Sequence, residues 1–130
     1  MSQIKGSTVL ITGGASGIGK LMGEICLQEG AKRLIIWDID RKKTEDFASG
    51  LLSKGFEIHT YNTDVSNPDE IIMAATDIRQ KFIGIDILFN NAGIIVGKEF
   101  HHHTHNEIDF TMRINAAALM HVALEFIPGM

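Results

Sequence analysis

Short apolar runs alternate along the chain with longer stretches in which apolar residues recur at helical spacing. The runs predict four β-strands, over residues 8–12, 33–37, 56–61 and 86–90. The first run lacks polar alternation, which is typical of a parallel strand buried on both faces. The longer stretches predict helices that begin near Gly17, Arg41, Pro68 and His105.

In two of the predicted helices, an apolar stripe predicts which residues are buried. The first helix is expected to bury Ile18, Leu21, Met22 and Ile25. In the last helix a polar residue, Asn115, lies within a stripe of Ile108, Met112, Leu119, Val122 and Phe126. Burying an unpaired amide costs on the order of a few kcal/mol. We therefore expect Asn115 to have a role in chemistry or, alternatively, to bond nearby backbone as a core asparagine.

The alternation of strand and helix predicts the fold class. Successive strands joined by helices form a parallel sheet with helices on both faces, through right-handed crossovers. We predict an α/β Rossmann-type doubly wound sheet with strand order 3-2-1-4. Ligands of such sheets bind beyond the carboxyl ends of the strands, where the order reverses between the first and fourth strands.

Composition excludes several classes of partner. The net charge is -4 and no run of Lys or Arg marks a basic face, so we expect no nucleic-acid partner. No stretch approaches the roughly 20 apolar residues that cross a bilayer, so we expect no membrane span. A single cysteine, Cys26, excludes an internal disulfide and favours a buried helix position and a cytoplasmic location.

A glycine-rich turn, TGGASGIG over residues 12–19, joins the first strand to the first helix. Glycines let the backbone turn sharply, and a helix N-terminus directs N–H groups and its positive dipole end at a ligand. We expect this turn to hold the pyrophosphate of an NAD-type cofactor, with hydroxyl donors from Thr12 and Ser16. The expected binding residues are Gly13, Ser16, Gly17, Ile18 and Gly19. The alternative is a plain glycine-rich turn.

An acidic residue, Asp38, ends the second strand about 20 positions after the turn. Its carboxylate suits the ribose hydroxyls of NAD and repels the 2′-phosphate of NADP, so NAD is the expected cofactor and NADP the less favoured one. Ile39 is expected beside it in the site. A solvated loop aspartate is the alternative, and the basic residues 41–43 could weaken the preference.

With these residues in place, the chain resembles the classical short-chain dehydrogenases/reductases over essentially its whole length. Their turn has the spacing TGxxxGxG, which TGGASGIG matches. Three further segments are similar to family motifs: Asp64-Val65, Asn90-Asn91-Ala92-Gly93, and Asn115 within MRINAAALM. A finer similarity, Trp37-Asp38-Ile39, indicates the retinol and hydroxysteroid dehydrogenase branch.

The resemblance implies an NAD(P)-dependent oxidoreductase that interconverts an alcohol and a ketone or aldehyde. It implies that Asp64, with Val65 beside it, meets the adenine amino group, and that Asn91, Ala92 and Gly93 line the adenine ribose. Asn115 would be catalytic, holding a water in the proton relay. It also implies a small-molecule alcohol or carbonyl substrate for the full-length parent, and a homo-oligomer that packs through the last helix.

One family motif is absent from this chain. The family's Tyr-x-x-x-Lys pair has no counterpart, because the single tyrosine, Tyr61, is followed four residues later by Val65. We therefore expect residues 1–130 to be one dinucleotide-binding domain, truncated before its fifth strand and inactive alone. The alternative is a non-catalytic nucleotide-binding or interaction module.

Four histidines, His101, His102, His103 and His105, lie in the loop before the last helix. Histidine is a common transition-metal ligand, and such a loop can chelate adventitious zinc or nickel. Because the run is only compositional evidence and the family uses no catalytic metal, we predict no functional metal site.

Overall fold

The computed structural model describes residues 3–130 and contains one sheet of four parallel strands. The strands are β1 (Thr8–Thr12), β2 (Arg33–Asp38), β3 (Ile58–Asn62) and β4 (Ile87–Phe89). Their order is β3-β2-β1-β4, and each neighbouring pair runs parallel. The predicted fold class and strand order are confirmed.

Helices connect the strands and follow the last one. They are α1 (Gly17–Gln28), α2 (Arg41–Leu52), α3 (Pro68–Phe82), α4 (His105–Met112) and α5 (Ala118–Phe126). A π-helical turn, Arg113–Ala117, joins the last two, and short 3₁₀ turns form at Phe100–His102 and Ile127–Gly129. Side-chain caps fix where three helices begin, because their oxygens satisfy free N–H groups of the first turn. The capping residues are Asp40, Asn67 and Thr104.

Each face of the sheet carries its own hydrophobic core, because successive strand residues point to opposite faces. Helices α1 and α2 cover the side chains of Val9, Ile11, Leu34 and Ile36. Helices α3 and α5 cover the opposite face, where Trp37 is fully buried against Phe126 with ring centroids 5.7 Å apart. The carboxyl ends of β1, β2 and β4 are thereby held at one edge of a rigid layer.

The expected buried stripe of α1 is wrong at three of its four residues; Met22 is half-buried and packs against the core. Ile18, Leu21 and Ile25 are exposed, and the helix instead buries Gly19, Gly23, Cys26 and Leu27. The reason is close packing: a Cβ at Gly23 would lie 2.9 Å from a methyl group of Leu34 in β2. The burial of Cys26 is confirmed, and it raises the pKa of that thiol.

The expected face of the last helix is only partly correct: Val122 and Phe126 are buried as predicted, whereas Met112 and Asn115 are exposed. Its buried residues are Ile114, Ala118, Val122 and Phe126, whereas Asn115 is exposed. The sequence interpretation assumed one regular helix from residue 105 to 127. The π-helical turn inserts extra residues into the helical repeat and so rotates the residues on either side relative to each other.

One helical stretch, His105–Gly129, is long and apolar enough to cross a membrane by length and composition, contrary to the sequence interpretation. Such a stretch is weak evidence, because core helices pass the same test. Here Val122 and Phe126 pack against the sheet, and Arg79 of α3 bonds to the Glu125 carboxylate at 2.9 Å. These contacts attach the stretch to the domain, although only 22% of its apolar window is buried.

Candidate functional site

The glycine-rich turn lies between the carboxyl end of β1 and the start of α1, and it leaves no room for side chains at two positions. Gly13 has φ +64°, and a Cβ there would lie 2.9 Å from the Cα atom of Ala92. A Cβ at Gly19 would overlap the carbonyl oxygen of Gly13 and lie 2.5 Å from Nδ2 of Asn91. The two glycines therefore let this turn pack closely on itself and on the residues that follow β4.

Residues that follow β4 hold this turn in place from the neighbouring strand. The Asn91 side-chain amide donates to the carbonyl oxygens of Thr12 and Gly13, each at 3.1 Å. The N–H groups of Asn91 and Ala92 both donate to the Thr12 hydroxyl at 3.0 Å. The hydroxyl is buried and donates its own proton to the carbonyl oxygen of Phe89 at 3.5 Å, so the expectation that Thr12 donates to a cofactor phosphate is wrong.

Ser16 and the first turn of α1 face the open side of the same turn. Ser16 is exposed at the N-cap position, and its hydroxyl makes no capping bond among the described residues. The first N–H groups of the helix therefore remain available, and the helix dipole adds positive potential where they point. Ile18, 73% exposed, lies beside them.

Asp38 is tied to both loops that surround it. One carboxylate oxygen accepts from the N–H of Ala15 at 3.0 Å and the other from the N–H of Asp40 at 2.9 Å. The carbonyl oxygen of Trp37 accepts from the N–H of Gly13 at 2.8 Å. These bonds fix the carboxylate beside the glycine turn, so Asp38 is not a freely moving loop aspartate.

Two of the three basic residues at positions 41–43 are paired with carboxylates. The guanidinium of Arg41 lies 2.8 Å from Glu45, and the ammonium of Lys43 lies 3.3 Å from Asp40. The pKa of Asp40 is lowered, chiefly by the hydrogen bond from the backbone N–H of Lys43 and further by the Lys43 ammonium. Arg41 is thereby directed along α2, whereas Lys43 is held at Asp40, the N-cap residue of that helix.

A third wall of the site follows β3. One carboxylate oxygen of Asp64 accepts from the N–H of Ser66 at 2.8 Å, and the Asp64 N–H donates to Glu70 at 2.7 Å. The loop is thus held in a tight turn at the start of α3, with Asp64 and Val65 facing the glycine turn across a cavity.

That cavity has a volume of about 380 Å³ and brings most of the sequence-predicted binding residues together. The predicted residues that line it are Gly13, Ser16, Ile18, Asp38, Ile39, Asp64, Val65, Asn91, Ala92 and Gly93. Gly17 and Gly19 shape the turn but do not line the cavity. Four lining residues were missed, although each directly adjoins a predicted residue: Trp37, Thr63, Ile94 and Ile114.

Asn115 does not line the cavity, but it positions a residue that does. Its side-chain oxygen accepts from the N–H of Ile94 at 2.8 Å, and its amide nitrogen donates to the carbonyl oxygen of Ile94 at 2.7 Å. The exposed amide thus bonds nearby backbone, as the alternative interpretation held, although not as a core residue. Its expected part in a proton relay remains a prediction.

Tyr61 lies outside the cavity, on the side of β3 that meets α3. Its hydroxyl donates to Asp77 at 2.7 Å, and Asp77 in turn pairs with Lys81 at 2.8 Å. Burial, followed by the bond to the Asp77 carboxylate, raises the pKa of Tyr61 well above its usual range. A phenol in this setting holds its proton tightly.

Comparison with known proteins gives one consistent result. The family model described as short chain dehydrogenase matches residues 7–130. Estradiol 17-beta-dehydrogenase 11 of Pongo abelii is 32% identical over 98% of this chain and 42% of its own length. The chain thus spans less than half the length of this curated relative.

Solved structures agree with that result. A short chain dehydrogenase/reductase from Burkholderia phymatum, in complex with NAD, superimposes with a TM-score of 0.92 at 28% identity. The match covers 46% of the length of that structure and 100% of this chain. L-sorbose reductase from Gluconobacter frateurii, complexed with NADPH and L-sorbose, gives 0.91 at 28% identity, with 98% of this chain and 49% of that one covered. Together with the glycine turn, Asp38 and the residues after β4, these matches establish that the chain belongs to the short chain dehydrogenase family.

Proposed function

We propose that the cavity beyond β1, β2 and β4 binds the adenosine and pyrophosphate parts of a nicotinamide dinucleotide. The observation that carries this proposal is the fixed Asp38 carboxylate, which lies beside a turn with no room for a side chain at Gly13 or Gly19. Backbone N–H groups at a helix start suit a phosphate, and a carboxylate at the end of the second strand suits ribose hydroxyls.

Each wall of the cavity carries hydrogen-bonding groups for a different part of the cofactor. The N-terminal turn of α1, with Ser16, would hold the pyrophosphate, and Asp38 would accept from the ribose hydroxyls. Asp64 keeps one carboxylate oxygen beyond its bond to Ser66, and that oxygen can accept from the adenine amino group. The fit follows from the donor and acceptor types present.

We propose that NAD is preferred over NADP. Asp38 places a negative charge where a 2′-phosphate would lie, and Arg41 and Lys43 are each paired with a carboxylate. Solved relatives include one complexed with NAD and one complexed with NADPH, so the preference must come from these side chains.

We further propose that the whole protein is an oxidoreductase that interconverts an alcohol and a ketone or aldehyde, and that it acts in the cytoplasm. When bound, the nicotinamide ring supplies the hydride chemistry. The protein's share is to orient the substrate and to provide a proton donor near the reacting oxygen. Tyr61 is bonded to Asp77 outside the cavity. We therefore expect residues 1–130 alone to bind cofactor without turnover, as a non-catalytic nucleotide-binding module would.

A pair of titrations tests the cofactor proposal. NADH and NADPH are titrated into the 130-residue chain, followed by fluorescence or calorimetry, and NADH should bind more tightly. The Asp38→Asn variant should bind NADH about tenfold more weakly, because a charge-assisted hydrogen bond contributes about 1.5–3 kcal/mol. The exposed Asp46→Asn variant serves as a control and should match the parent. Equal or tighter NADPH binding by the parent would overturn the NAD preference.

A further inference from the structure

The histidine-rich loop folds so that its histidines have separate surroundings. His101 and His102 lie in the 3₁₀ turn Phe100–His102, which Glu99 precedes. One ligand atom from each of Glu99, His101 and His102 lies within 4.8 Å of the others, and all three side chains are exposed. His103 is turned away, with its ring nitrogen 3.2 Å from the carbonyl oxygen of Lys98.

The backbone that carries these three side chains is held in shape by its own hydrogen bonds. The N–H of His102 donates to the carbonyl oxygen of Glu99 at 2.9 Å, and that of His103 donates to Phe100 at 3.1 Å. Lys98, which precedes them, pairs with Glu107 of α4 at 2.6 Å. A cluster on an ordered turn loses less conformational entropy on binding than the same residues on a free loop.

The three donors match the coordination chemistry of one class of metal ion. Two imidazole nitrogens and one carboxylate oxygen are ligands that Zn²⁺ accepts in tetrahedral sites with one position open. Bond lengths of about 2.0–2.2 Å place such ligand atoms about 3.4 Å apart. The ring nitrogen of His101 already lies 3.5 Å from the Glu99 carboxylate. The two histidine rings, with centroids 4.0 Å apart, are exposed and can rotate to complete the set.

We propose that Glu99, His101 and His102 form a surface site for one borderline transition-metal ion of the Zn²⁺ class, with solvent at the remaining position. Imidazole ligands favour such ions over Mg²⁺ and Ca²⁺, which prefer oxygen. The site lies on the loop that leads from Ile94, in the wall of the cavity described above, to α4. A bound ion would therefore fix this loop without entering the cofactor cavity.

Titration of Zn²⁺ into the tag-free chain, followed by calorimetry, tests the proposal. The parent should bind one equivalent, and Glu99→Gln, His101→Ala and His102→Ala should each weaken that affinity about tenfold or more. His103→Ala is the matched control, because its ring is engaged by Lys98, and it should leave the affinity unchanged. Glu99, His101 and His102 are exposed, so their variants should keep the melting temperature of the parent, which circular dichroism checks for them and for the half-buried His103→Ala.

Three results would overturn the site. The first is no saturable Zn²⁺ binding by the parent, which would leave Glu99 and His101 as an ordinary ion pair. The second is equal weakening by His103→Ala, which would indicate diffuse chelation by the histidine run. The third is Mg²⁺ binding with the same affinity, which would contradict the assigned class of metal.

Discussion

Gly19 and Gly50 are both helical glycines, but their surroundings make opposite demands on a side chain. A Cβ at Gly19 would overlap the carbonyl oxygen of Gly13. A side chain there would therefore push the start of the helix away from the glycine turn. Within the described part of the chain, a Cβ at Gly50 of α2 would meet nothing within 4 Å. The first glycine is required by a close approach, whereas the second only lowers helix propensity.

We therefore expect Gly19→Ala to weaken NADH binding and to lower the free energy of unfolding by about 1–3 kcal/mol, the usual cost of overpacking. Gly50→Ala should raise the free energy of unfolding by up to about 1 kcal/mol, because alanine is the better helix former. Urea denaturation and an NADH titration measure both effects. A Gly19→Ala chain with parent-like stability and affinity would contradict the packing seen at the turn.

A second residue-scale feature is strain at the end of α3. Ile83 follows the helix with φ +67° and is 97% exposed, so a β-branched residue adopts the left-handed region without gaining burial. That conformation costs about 1–2 kcal/mol for residues other than glycine.

Ile83→Gly should raise the free energy of unfolding by about 1 kcal/mol, after allowance for the greater flexibility of unfolded glycine. The same change at Ile72, an exposed isoleucine inside α3, should lower it by about 1 kcal/mol. Opposite shifts of the urea midpoint for the two variants are the expected result, and a destabilised Ile83→Gly chain would refute the strain.

At the scale of elements, the cavity depends on contacts between segments far apart in sequence. The loop after β4 is braced to the glycine turn by Asn91 and to the last helix by Asn115. The π-helical turn Arg113–Ala117 turns Ile114 inward and leaves Asn115 beside Ile94. One irregular turn thus supplies both a cavity wall and the bond that holds the loop.

Asn115→Ala should release the loop. Removal of two hydrogen bonds to Ile94 at a partly solvated position should lower the free energy of unfolding by about 1 kcal/mol. The clearest readout is faster hydrogen exchange of the Ile94 amide, measured by NMR or mass spectrometry. The exposed Asn106→Ala in α4 is the control, and equal exchange at Ile94 in both variants would show that Asn115 does not hold the loop.

At the scale of the whole molecule, the outer face of the last helix is strongly apolar. Met120 and Leu124 of α5 and Ile127 after it are 67%, 69% and 64% exposed, and Met112 of α4 is 57% exposed. Contiguous apolar surface of this kind favours association over solvation. We propose that the chain forms a homo-oligomer through the outer face of its last helix.

Light scattering after size exclusion should show a mass above that of one chain, rising with concentration. Met120→Lys combined with Leu124→Lys should return the mass to that of a monomer, because two charges would then have to be desolvated. Leu52→Lys places the same charge on exposed α2 and should leave association unchanged. A monomeric parent at all concentrations would refute the proposal.

The sequence by itself determined the strand order, the glycine turn and the acidic residues of the cavity. These depend on local patterns: an apolar run makes a strand, glycine permits a turn, and polar residues at strand ends meet at one edge of a parallel sheet. Asp38 could be identified as a binding residue for this reason. Its bond to Ala15 then followed from the fold.

Only the tertiary structure decided which helix faces are exposed to solvent and which polar atoms are available to a ligand. The sequence interpretation assigned Ile18 and Asn115 to buried faces, because a regular helical period says nothing about how closely a sheet approaches or where a π turn occurs. It also expected the Thr12 hydroxyl to donate to the cofactor, whereas the buried hydroxyl donates to the carbonyl oxygen of Phe89 and accepts from the N–H groups of Asn91 and Ala92, almost 80 residues away. Such long-range hydrogen bonds arise from packing between elements, and no local pattern records them.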